Sequence, residues 1–199
     1  MAEVEAFLQR ALQRLPAASP SKFEFWHWAH GGRATDEGFA IMPIPGADPK
    51  KVIDCVMDVD HYVGNVEHVG ACRSIKDARF APPDKVRFYQ KIDVPMLGAI
   101  HHELVLSRLG THKGYEVAGW EILKPETDAL SAKEGYRSDY SHGLWIAAPG
   151  VVGYALGSAP KRDDVGFLKW KALTSGADAA ASRVLRANLE GMGRWAARR

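Results

Sequence analysis

The chain is poor in cysteine and has no long apolar run. Its 199 residues include two cysteines, Cys55 and Cys72. That is too few for a disulfide framework, and their spacing is not that of a thiolate metal pair. Both are expected as reduced thiols. No stretch approaches the roughly 20 apolar residues that a membrane-spanning helix needs. The opening Met1-Ala2-Glu3-Val4-Glu5 is acidic where a secretory leader would be basic and then apolar, so the expected compartment is cytoplasmic. Charge of one sign is lacking as well. The formal net charge is +2, and few Lys or Arg interleave with the aromatics, which argues against nucleic acid as a partner. The chain contains no phosphate-binding glycine loop, no dinucleotide fingerprint and no nucleophile elbow. Internal repeats and low-complexity tracts are absent too.

The composition that remains is that of an ordinary globular protein, 46% hydrophobic and 25% charged. The length suits one domain with a substantial core. Charge is unevenly placed: residues 161–199 hold nine Lys or Arg against four Asp or Glu, and the preceding part is net acidic. The basic end is read first as a solvated helix face, with cations favoured near a helix C-terminus. A second reading is a surface for transient contact with an anionic membrane.

Periodicity divides the chain into three parts. Residues 1–20 form an N-terminal helix and connector, with Val4, Phe7, Leu8, Ala11, Leu12 and Leu15 at helical spacing and Pro16 and Pro20 ending the run. Residues 21–175 alternate as strands. These are expected over Lys22–His30, Gly38–Ile44, Val69–Lys76, Lys85–Val94, Ala99–Leu109, Tyr115–Leu123, Ser138–Ala148, Val151–Ser158 and Val165–Leu173. Pro95 and Gly98 break the series between Val94 and Ala99. Asp48-Pro49 starts a helix running to about Val59, because Asp caps well and proline loses nothing at the first helical position. A short helix follows over Asp60–Asn65. Pro125 to Arg137 reads as the longest loop. Residues 176–199 form one long amphipathic helix, whose inward face carries Ala181, Val184, Leu185, Asn188, Met192 and Trp195. The fold class is therefore α+β, with helices segregated from an antiparallel sheet.

Catalytic signals are weak. Of eight histidines, His101 and His102 fall beside Glu103, but adjacent strand residues point to opposite faces. His101 and Glu103 share a face, and a metal there would need a further ligand such as His142 or Glu121. No metal and no cofactor are expected. On Lys85–Val94, the residues Val86, Phe88, Gln90 and Ile92 share one face, and Arg87, Tyr89, Lys91 and Asp93 the other. A buried polar group from this region would orient a ligand if it had a partner such as Glu103. Trp120, Trp145 and Trp170 fall on three different strands and are candidates to line a cavity.

The run Ala47 to Asp54, continued by Asp58 to Tyr62, resembles the first helix pair of the START-like superfamily. Tyr89 to Pro95, followed by His102-Glu103-Leu104-Val105-Leu106, is similar to its central strands, where that family often carries Arg-Asp in place of His102-Glu103. Gly143 to Ile146, Gly166 to Trp170 and the long final helix resemble its end. The resemblance covers about residues 20–199 and rests on the order of elements. It implies a helix-grip fold: a curved antiparallel sheet wrapped around the C-terminal helix, with an internal apolar cavity. It also implies binding, and by extension carriage or sensing, of a lipid-like or other hydrophobic small molecule without catalysis. The alternative is a cyclase or dehydratase acting on a polyketide-like or aromatic substrate through a cavity acid–base pair. The candidate ligand-binding residues are Tyr89, Lys91, His102, Glu103, Trp120, Trp145, Asn188 and Met192.

Overall fold

A computed structural model describes residues 2–16, 18–94, 98–175 and 177–199; the break expected at Pro95 and the helix opening at Gly176 lie outside the described residues. Eight strands form one sheet in the order β1-β2-β8-β7-β6-β5-β4-β3. They are β1 Glu24–Trp28, β2 Glu37–Pro43, β3 Val69–Ile75, β4 Lys85–Val94, β5 Gly98–His112, β6 Tyr115–Ile122, β7 Tyr136–Ala148 and β8 Val151–Pro160. Neighbours pair antiparallel, and a short parallel contact joins Ile100 of β5 to Tyr136 of β7. The helices are α1 Ala2–Leu12, α2 Pro49–Met57, α3 Lys124–Asp128, α4 Arg162–Val165, α5 Phe167–Ser175 and α6 Ala177–Ala197.

Strand alternation sends side chains to two separate cores. The inner face meets α2 and α6. There Ala40, Phe88, Leu104, Leu106, Trp120, Trp145 and Val152 pack with Val52 and Val56 of α2 and with Leu185, Leu189, Met192 and Trp195 of α6. The outer face meets α1, where Val4, Phe7, Leu8, Ala11 and Leu12 cover Phe39, Ile41, Val117, Leu144 and Ile146. The inward stripe read for the last helix holds for Leu185, Asn188, Met192 and Trp195, all buried.

Local chemistry explains the start of α2. The Asp48 side chain accepts a hydrogen bond from the Lys50 backbone N–H at 2.9 Å, and Pro49 occupies the first turn. Three expectations are corrected. The first helix stops at Leu12 rather than Leu15. The Pro125 to Arg137 stretch is not wholly irregular, since Lys124–Asp128 is helical. Residues 165–173 do not form a strand: they run from the end of α4 into helix α5, so Trp170 lies on a helix. The sheet has no place for a ninth strand beside β8, because both edges of β8 are occupied by β2 and β7. Among the described residues, no helix is long and apolar enough to cross a membrane.

Candidate functional site

On the inner face of the sheet, under the segment that holds Tyr62 and Val66, lies a cavity lined by those two residues and by Phe88, Gln90, Leu104, Leu106, Trp120, Trp145 and Tyr154. Its free volume is about 20 Å³, room for one water rather than a lipid. The deep cavity that the sequence led us to expect is therefore narrow, because large rings occupy the space. Tyr154 packs against Trp145 at 4.2 Å between centroids and stacks on Trp120 at 5.5 Å. The Trp120 ring reaches across to β7 at Gly143, where an added Cβ would overlap it. Its indole N–H donates to Ser141 Oγ at 3.4 Å.

Among the described residues, the lining carries no carboxylate, Lys or Arg. Gln90 is its one amide. Gln90 pairs in register with His102 across β4 and β5, and His102 Nε2 lies 3.1 Å from Gln90 Oε1. On the other side of the ring, His102 Nδ1 lies 2.8 Å from Ser138 Oγ. Burial, with some help from His101, pushes the His102 pKa down to about 3, so this imidazole is neutral at physiological pH. A neutral ring has one donor and one acceptor nitrogen. Since the Gln90 carbonyl oxygen can only accept, Nε2 carries the proton, and Nδ1 accepts from the Ser138 hydroxyl. Burial likewise raises the Tyr154 and Tyr62 phenols and lifts the Cys72 thiol, on the rim of the same core, to about 12.

The eight candidate residues do not all meet. Trp120 and Trp145 line the cavity, and His102 reaches it through Gln90. Met192 is buried in the same core beyond the cavity wall. Asn188 is buried too, but its Oδ1 accepts from the Glu67 backbone N–H at 2.8 Å, which ties α6 to the segment before β3. Tyr89, Lys91 and Glu103 point to the outer face, away from the cavity. Tyr89 O–H lies 3.2 Å from His101 Nδ1, and the Glu103 carboxylate is bound by Arg87, which also reaches Asp77. Strand parity accounts for this split, and the sequence had already placed Gln90 with Val86 and Phe88. Gln90, Phe88, Leu104, Leu106 and Tyr154 were missed as cavity residues because the charged face of β4, not the apolar one, was taken as the ligand-orienting face.

A second buried polar cluster lies on the outer face beneath α1. Both Glu37 of β2 and His142 of β7 are 1% exposed. Glu37 accepts hydrogen bonds from Arg10 Nε and Nη2 at 2.9 and 2.6 Å, from Trp28 Nε1 at 2.6 Å and from His142 Nε2 at 2.9 Å. Burial alone would raise its pKa; the bonds from His142, Arg10 and Trp28 outweigh it and hold the carboxyl down to about 2. Glu3, Glu37 and His142 bring potential metal-ligand atoms within 4.8 Å of one another. The Arg10 guanidinium already supplies the cation at that carboxylate. Elsewhere the larger hollows are open surface grooves. One of about 450 Å³ is bordered by Asn65, His68, Asp93, Arg194 and Arg198 and is mixed in charge.

No family model matches the chain, and no curated protein matches it. Solved structures do. A STAR-related lipid transfer protein fragment from Xanthomonas axonopodis is 15% identical with a TM-score of 0.69, and the match covers 91% of this chain and 97% of that one. Human STARD10 is 13% identical at a TM-score of 0.71, covering 96% and 78%. Human StAR-related lipid transfer protein 5 is 11% identical at 0.65, covering 99% and 96%. The chain thus shares the helix-grip fold of these solved structures, an α+β architecture of one curved eight-stranded sheet closed by a C-terminal helix.

Proposed function

We propose that the chain binds a lipid-like or other apolar small molecule in the cavity on the inner face of the sheet, without catalysing a reaction on it. The observation that carries this reading is the make-up of the cavity wall: Phe88, Leu104, Leu106, Trp120, Trp145 and Tyr154 surround a single amide, and no charge faces the space. Apolar contact would supply the affinity, at roughly 25 cal/mol per Å² of buried apolar surface before ordering costs. The names of two structures with the same fold, both called lipid transfer proteins, agree with this reading. Binding requires the rings to give way, and Tyr154, which is only partly buried, is the ring expected to swing. The test is native mass spectrometry of the purified protein, followed by organic extraction. A stoichiometric hydrophobic molecule supports the reading. A protein that neither carries one nor takes up added lipid overturns it.

The cyclase or dehydratase reading needs a His–carboxylate pair aimed into the cavity. The fully buried pair of that kind, His142–Glu37, lies on the opposite face. His102 has an amide and a hydroxyl as partners instead.

The partner surface proposed for a membrane is α5. Phe167 and Leu168 are 58% and 81% exposed. Lys169 follows them, and Arg162 lies over both the Phe167 and Trp170 rings. Apolar side chains flanked by cations suit an anionic bilayer surface. Sedimentation with phosphatidylserine vesicles, compared with pure phosphatidylcholine vesicles, should show salt-sensitive binding that Leu168→Glu weakens.

A further inference from the structure

We infer that Gln90 is the specificity-determining residue of the cavity: held by His102 and Ser138, it presents amide N–H groups and so selects an uncharged, flat ligand that carries a hydrogen-bond acceptor. This rests on the binding reading above and names the ligand class.

The argument runs along one chain of bonds on the inner face. Gln90 Oε1 can only accept, so His102 Nε2 donates to it, and His102 Nδ1 accepts a hydrogen bond from the Ser138 hydroxyl. With its oxygen engaged, the amide can turn only its nitrogen toward the cavity that it lines. That nitrogen makes no hydrogen bond among the described residues. Gln90 is 9% exposed, and its N–H groups are open to an acceptor that a ligand supplies. The position of Ser138 is itself a local feature. The register of β7 on β8 shifts between Ser138 and Tyr140, which brings Ser138 to the inner face while Tyr140 faces outward toward Thr35.

The rest of the lining sets shape and charge. Trp120 stacks on Tyr154, and Trp145 packs tilted against the same ring, a set of aromatic faces that favours a flat partner by offset stacking. Among the described lining residues no Lys, Arg or protonated imidazole is available to neutralise a carboxylate or phosphate, and an unpaired buried charge is strongly disfavoured. Fatty-acid anions and phospholipid headgroups are therefore excluded from this part of the cavity. Had His102 the other tautomer, Gln90 would have to present its oxygen, and the preference would reverse to ligands with a donor. His102 and Ser138 are thus positioning residues, and Gln90 is the contact.

The test uses Prodan, a neutral naphthyl ketone whose emission moves to longer wavelength when its carbonyl accepts a hydrogen bond, with oleate as the anionic competitor. Wild-type protein is expected to bind Prodan with the red-shifted emission and to retain it against oleate. Gln90→Met keeps the volume and removes the donor. It should bind roughly tenfold more weakly and shift the bound emission to shorter wavelength. Ser138→Ala should produce the same spectral shift, and Ser138→Thr should restore the wild-type spectrum; a role in packing alone would not move the emission. Thermal unfolding of each variant checks that it is folded, and Ser138→Ala carries the test if Gln90→Met is not. Prodan binding with unchanged emission in both variants, or displacement by oleate at comparable concentration, overturns this inference while leaving apolar binding intact. No uptake of either probe overturns the binding reading itself.

Discussion

Glu37 and His142 are hydrogen-bonded at 2.9 Å although their strands are not neighbours. Strand β8 runs between them, and the residue it places in the gap is Gly157, the register partner of His142. A Cβ at Gly157 would stand 2.7 Å from His142 Nε2 and 3.2 Å from Glu37 Cγ. The bond therefore crosses a strand through the space left by a missing side chain. Gly157→Val should close that passage and destabilise the protein by about 2–4 kcal/mol, combining overpacking with a broken buried bond. Glu37→Leu should cost about 3–5 kcal/mol, because Arg10 loses the carboxylate that neutralises it. Urea unfolding of both variants checks the two values.

The same carboxylate predicts acid sensitivity. Its pKa falls from 4.5 to about 2 on folding, so its stabilisation is complete above pH 4.5 and is lost as pH drops toward 2. The amount at stake is about 3 kcal/mol. Stability measured against pH should show this acid limb in the wild type, and Glu37→Gln should flatten it.

His102 acts over a higher window. Its pKa drops from 6.5 in the unfolded chain to about 3 in the fold. The unfolded chain therefore takes up the proton first, and stability declines as pH falls from about 6.5 toward 3. His102→Asn should remove this slope while leaving the Glu37 limb, which separates the two groups in one titration series.

The Trp120 ring depends on Gly143. Gly143→Ala would push a methyl group into the indole and to within 2.5 Å of the Ala155 carbonyl oxygen. The expected cost is about 1–3 kcal/mol. A change in tryptophan emission should accompany it, because the ring that lines the cavity must move.

Asp48 offers a milder check on local structure. Asp48→Ala removes the cap on the Lys50 N–H and should destabilise by about 1 kcal/mol, read as a small drop in thermal midpoint without change in ligand uptake.

Most of the sheet was legible because its strands are long, alternating and bounded by turns, and the inner and outer sets of β4 were separable by parity alone. The exception, residues 165–173, alternates Phe167, Lys169 and Lys171 with Leu168 and Trp170 over a short run, a pattern that a strand and a helix can both satisfy. Only the sheet decides, and β8 has no free edge to offer. The Arg10–Glu37–His142 cluster left no local mark, since Glu37 and His142 are separated by 105 positions and each reads alone as an isolated polar residue in a strand. Likewise the link from Gln90 through His102 to Ser138 depends on the register shift in β7, which no sequence spacing announces.

Burial of the sheet on both faces has a consequence for how the chain finds its alignment. In β2, Glu37 looks outward to Arg10, while Gly38 looks inward, close beneath Leu185. A slip of one residue would exchange them, thrusting a carboxylate at a leucine and taking from the Arg10 guanidinium its buried partner. The apolar residues of β2 give weaker guidance, for Phe39, Ala40 and Ile41 find hydrophobic company on either side. The buried ion pair thus acts as an indexing peg: it makes the misaligned sheet costly where greasy contacts alone would tolerate it.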